Sequence, residues 1–161
     1  MNKVYVGYVQ GVHGLRGDLK IKCKFEHPEK VFKADTKIYL NDDLHEISAC
    51  KLYKGFYLCT IDNIKDINKV EKYIGYDVFI ERNELHLKDN EYLLDDLYNL
   101  EIESNSKLYG SVKGISNNGV YYILIVKYKK EYMIPLIDEF VLNVDLENKK
   151  IICKDIERLI I

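Results

Sequence analysis

The chain has 161 residues, 47% of them apolar, with 24 basic and 26 acidic side chains and a formal net charge of −2. That is enough for one ordinary domain or two small ones with a packed core, which excludes a disordered chain, and the slight acidity excludes a bulk nucleic-acid coat. No apolar run approaches the roughly 20 residues of a membrane-spanning helix, so no membrane is expected among the partners. Tyr is abundant (14) and Trp absent; with many Ile and Val, this favours strands over helices. Cys23, Cys50, Cys59 and Cys153 form no Cys-x-x-Cys pair, and Met1 leads directly into a strand pattern. Free thiols in a reducing cytoplasm are therefore expected, with no zinc or other metal site.

Val4, Val6 and Tyr8 begin an alternating strand. Gly7, Gly11, Gly14 and Gly17 then surround Arg16, one of only 3 arginines against 21 lysines. Glycine clusters mark tight turns or close backbone approach, and arginine is a planar fork of donors. The next run alternates from residue 18 to 25. Leu19, Ile21, Cys23 and Phe25 share one face, and Lys20, Lys22 and Lys24 the other. That lysine row is either a solvated strand face or a ladder facing phosphates. Further strands are expected at 36–40, 46–53, 56–61 and 77–81. A helix is expected at 66–74, capped by Asp66 and stopped by Gly75. Polarity rises around Lys88-Asp89-Asn90, which places a boundary between domains 1–88 and 91–161. The second half offers strands near 101–103, 110–115, 120–128, 132–135, 141–144 and 151–154, with Asn117-Asn118-Gly119 as a hairpin turn. Many short strands with one or two short helices predict a mainly β protein of two small barrels.

Gly11, Gly14 and Gly17 recur every third residue without a G-x-G turn, and a strand follows them. A nucleotide cofactor needs a helix N-terminus there, so no cofactor is expected. The loop is then either structural or a macromolecular contact, with His13 as a bracing or contact residue. Glu91, Asp95 and Asp96 have no nucleophile or base beside them in sequence, so they predict no enzyme. Asp96 before Leu97 suits a turn closed by its side chain. Tyr92, Leu93 and Leu94 form either a buried strand or, in part, an exposed anchor. Charge divides unevenly: residues 1–90 carry 15 basic and 14 acidic side chains, residues 91–161 carry 9 and 12, and residues 1–30 alone carry 6 and 3.

These segments resemble one family, the bacterial ribosome maturation factor RimM. Val6-Gly7 through Gly11, His13, Gly14, Arg16, Gly17 and Lys20 is similar to its opening signature. Pro28-Glu29 with Phe32, Lys72-Tyr73-Ile74-Gly75, Glu91-Tyr92 with Asp96-Leu97, Ile134-Pro135, and Val144-Asp145-Leu146-Glu147 resemble later motifs in the same order. The resemblance implies an N-terminal translation-factor-like barrel and a C-terminal barrel of the photosynthetic-reaction-centre (PRC) type. It implies a non-enzymatic role in maturing the head of the 30S subunit, binding small-subunit ribosomal protein nineteen and aiding 16S rRNA processing. Tyr92 and its neighbour correspond to a functional aromatic pair of the family. Three positions depart from the pattern: Leu93 replaces an aromatic, Asn99 a glycine, and Val120-Tyr121-Tyr122 an Asn-Asp tip.

The combined expectation is a monomer that clamps the immature 30S subunit. His13, Arg16, Lys20, Lys22 and Lys24 would meet rRNA, and Tyr92, Leu93, Asp96 and Leu97 the ribosomal protein. The rivals are a flavin-binding barrel, a reaction-centre-associated barrel, and an adaptor with another RNA or protein partner.

Overall fold

The computed structural model describes residues 2–161, and among them the chain divides into two compact units, the first ending at Leu87 and the second spanning Lys88–Ile161. The first unit contains β1 (Lys3–His13), β2 (Asp18–Cys23), β3 (Lys37–Leu40), β4 (Asp43–Tyr53), β5 (Phe56–Ile61), the helix α1 (Ile67–Val70) and β6 (Asp77–Glu81). The second contains β7 (Glu101–Ser104), β8 (Lys107–Asn117), β9 (Tyr122–Lys127), β10 (Glu131–Pro135), β11 (Val141–Asp145) and β12 (Lys150–Cys153).

The first six strands pair in the order β1-β2-β5-β4-β3-β6, and β6 returns to β1, closing a barrel. Closure removes both sheet edges and encloses a core of alternate apolar residues such as Val6, Leu19, Ile21, Ile38, Ile47 and Ile80. Each such side chain contributes about 1.5–3 kcal/mol by leaving water. β1 runs through two register shifts, between Tyr5 and Gly7 and between Val9 and Gly11. These bulges let one long strand pair with both β2 and β6 while bending round the barrel.

The second six strands run in the order β10-β9-β8-β7-β12-β11. All neighbours are antiparallel except β12 and β7, which are parallel. Their core includes Leu97, Ile102, Val112, Leu124, Ile134 and Ile151.

Three expectations need correction. The row of lysines does not lie on one strand: β2 ends at Cys23, leaving Lys24 and Phe25 beyond it. The helix at 66–74 is one α turn followed by a 3-10 turn over Glu71–Tyr73. Asp66 does cap it, accepting from Asn68 N at 3.0 Å. The strand expected from residue 120 starts at Tyr122, because Asn118 Oδ1 accepts from both Val120 N and Tyr121 N and holds the turn open.

Candidate functional site

The segment joining β1 to β2 is braced from below. His13 and Asp18 are register partners, and Gly17 N donates to Gly14 O at 3.2 Å to close the turn. Ile67 N, at the start of α1, donates to Leu15 O at 3.2 Å. A Cβ at Gly17 would stand 2.6 Å from Val70 Cγ2 and 2.8 Å from Ile67 Cα, so only glycine lets the loop back onto the helix this closely. The loop therefore presents Leu15 and Arg16 to solvent on a fixed base. Asp18, the nearest carboxylate to His13 in sequence, accepts from Thr60 Oγ1 at 2.9 Å and ties β2 to β5.

Cross-strand partners point to the same face of a sheet. Lys20 pairs with Leu58, and Leu58 with Lys51, so two lysines flank one leucine across β2, β5 and β4. Lys20 Nζ lies 4.2 Å from the centre of the Phe56 ring and Lys22 Nζ 5.2 Å from it. Both ammonium groups are thus held by one aromatic face at the end of the β4–β5 hairpin. Tyr53, the register partner of Phe56, packs its ring 5.1 Å from that of His13, and Lys54 Nζ lies 5.2 Å from the Tyr53 ring. The wall thus joins His13, Lys20 and Lys22 to Lys51, Tyr53, Lys54 and Phe56.

Arg16 and Lys24 sit at the two ends of this arrangement. Lys24 lies six residues after Asp18, about 20 Å of extended chain, and both Arg16 and Lys24 are exposed. The sequence reading missed the contribution of the second hairpin. The signal was present in the alternation of Lys51 and Tyr53 before the Lys54-Gly55 turn.

In the second unit, residues 92–97 form a short capped turn. Asp96 Oδ2 accepts from Leu93 N at 2.9 Å, opening a 3-10 turn over Leu94–Leu97. Glu91 Oε1 accepts from Lys88 N at 3.1 Å in the same way. These carboxylates shape backbone, as the turn reading of Asp96 expected. Leu93 and Leu97 are buried, with Leu97 in the core, so neither offers contact surface. Tyr92 is half-buried against that core, and burial, then the nearby Asp138 charge, push its hydroxyl pKa up. Tyr92 lines a cavity of about 360 Å³ together with Asp89, Glu91, Asp145, Glu147 and Val144 of β11. Of the four candidates here, Tyr92 lines this cavity.

Sequence comparison resolves what kind of chain carries these two surfaces. Residues 4–85 match the RimM N-terminal domain and residues 94–159 the RimM PRC barrel domain. The chain belongs to the RimM family. It is 30% identical to the ribosome maturation factor RimM of Staphylococcus aureus and to that of Staphylococcus haemolyticus, in each case over 98% of this chain and 99% of the relative. A crystal structure of a 16S ribosomal RNA processing protein RimM from Pseudomonas aeruginosa aligns with 95% of this chain and 97% of its own, at 18% identity and a TM-score of 0.44. The match to both RimM domains in one chain agrees with the resemblance drawn from the motifs.

Proposed function

We propose that this protein is a non-catalytic ribosome assembly factor. It acts in the cytoplasm, as a monomer when free, on the immature head of the 30S subunit and supports maturation of 16S rRNA. The observation that carries this reading is the match of both units, in order and over nearly the whole chain, to the two domains of one family of ribosome maturation factors.

The geometry supports a division of labour. The wall of Lys20, Lys22 and Lys51, with the rings of Tyr53 and Phe56, suits RNA. Lysines meet phosphates without reading sequence, and partly exposed rings accept unstacked bases. His13 and Arg16 extend that surface toward the loop, and Lys24 extends it at the far end. The cleft beside Tyr92 is lined by four carboxylates together with Val144 and Leu146, which suits a basic protein segment. Small-subunit ribosomal protein nineteen is the partner we assign to it. Leu93, Asp96 and Leu97 serve that cleft indirectly by fixing the backbone that carries Tyr92.

Co-sedimentation with purified particles tests the proposal. The full chain is expected to travel with 30S precursors and to be depleted from mature 30S subunits. Equal retention on both, or none on precursors, contradicts it.

A further inference from the structure

Cys50 on β4 and Cys59 on β5 are direct register partners in an antiparallel ladder. Their Sγ atoms lie 2.8 Å apart, and both are free thiols. Opposed strand residues hold their Cβ atoms about 4.5–5.5 Å apart, and a disulfide needs about 3.5–4.5 Å, so a small closure suffices. The two thiols differ in access: Cys59 is fully buried, whereas Cys50 is partly exposed.

We propose that Cys50 and Cys59 are an oxidative modification site, a dithiol that hydrogen peroxide converts reversibly to a disulfide. The accessible thiol reacts first, as its thiolate. Cys50 sulfur attacks one peroxide oxygen, an S–O bond forms, the O–O bond breaks, and the departing oxygen leaves as water after taking up a proton. Cys59 sulfur then attacks Cys50 sulfur. The S–S bond forms, the S–O bond breaks, and the hydroxyl leaves as a second water with the Cys59 proton. Two thiols lose two electrons in total, and one peroxide gains them.

The hydrogen bond to Cys50, then burial, hold the Cys59 thiol well above its ordinary pKa. This fits a resolving role, in which Cys59 reacts only once its neighbour is activated. Cys23 is half-buried with its thiol directed at Phe25 O, 3.5 Å away, and Cys153 is buried in the other unit. The ladder makes 50–59 the favoured pair. The bond would staple β4 to β5 directly beneath Lys51 and Leu58.

The inference is independent of the RNA reading and is tested on the full chain. The protein is treated with equimolar hydrogen peroxide, its remaining thiols are alkylated, and the digest is mapped by mass without reduction. The expected product joins the peptides of Cys50 and Cys59, is lighter by two hydrogens, and leaves two of the four free thiols. Dithiothreitol restores all of them, and the oxidised form unfolds at a higher temperature. Cys23→Ser and Cys153→Ser should each retain the cross-link. A cross-link between other cysteines, a sulfinic acid at Cys50 with Cys59 still free, or full survival of the thiols would overturn the proposal.

Discussion

Gly17 and Gly14 hold nearly the same left-handed backbone, φ +73° and +71°, in opposite surroundings. A Cβ at Gly14 meets nothing within 4 Å, whereas one at Gly17 meets α1 at 2.6 Å. Gly14→Ala should therefore cost about 1 kcal/mol of backbone strain alone. Gly17→Ala should cost about 3 kcal/mol, by pushing the loop off the helix. Urea titration of the two variants checks this, and equal losses would deny that the loop is braced. A second residue-scale prediction concerns alkali. Burial pushes the Cys153 thiol from an ordinary 9.0 up to about 12, and pushes the Tyr132 hydroxyl up as well. The Tyr132 hydroxyl also donates to Tyr109 O at 2.7 Å. Groups whose folded pKa is raised stay protonated in the native state while the unfolded chain ionises. Their contribution is thus intact below about pH 9 and lost as the pH climbs toward 12. Unfolding midpoints should fall through that window, and Cys153→Ala should flatten the fall.

At the scale of elements, the turn at 92–97 depends on one carboxylate. Asp96→Ala leaves Leu93 N without its acceptor and should cost about 1 kcal/mol, with Tyr92 more mobile by hydrogen exchange. An unchanged exchange rate would mean that the cleft is held elsewhere. How much of these elements the sequence shows depends on how local their causes are. Alternation alone located β5 and β6, and Asp66 marked the start of α1, because strand faces and caps are written within a few residues. Asn99 could stand in for a glycine because its φ is +69°, a region that asparagine tolerates best among side-chain-bearing residues. Two boundaries failed for tertiary reasons. The helix tightens after Val70 where the β1–β2 loop packs on it, and β2 stops soon after its pairing with β5 ends at Ile21 and Tyr57, although β1 runs on to Lys3. The parallel β12–β7 pair and the return of β6 to β1 join residues distant in sequence, which no local pattern encodes. The candidate site shows the same limit. The lysines of β2 were legible, but Phe56, which holds two of them, lies more than thirty residues downstream.

For the whole molecule, a net charge of −2 conceals a division between the units. The first carries the lysine and ring wall, and the second carries the acidic cleft at Tyr92. On our reading the protein holds RNA with one unit and a basic protein with the other, so each contact can be lost separately. Tyr92→Ala should weaken binding to the ribosomal protein by about tenfold, roughly 1.4 kcal/mol, with the unfolding midpoint changed little; calorimetry and a thermal melt check both. The same variant should keep its salt-dependent affinity for rRNA.

The most direct test is the salt dependence of binding to 30S precursor particles. Each phosphate contact contributes about 0.7–0.9 to the slope of log affinity against log salt. Lys20 and Lys51 flank Leu58 on the outer face of the wall, so Lys20→Ala with Lys51→Ala should leave the barrel folded. The account predicts that this pair lowers the slope by about 1.5, while Lys129→Ala with Lys130→Ala in the second unit leaves it unchanged. An unaltered slope in the first pair would contradict the placement of rRNA on this wall.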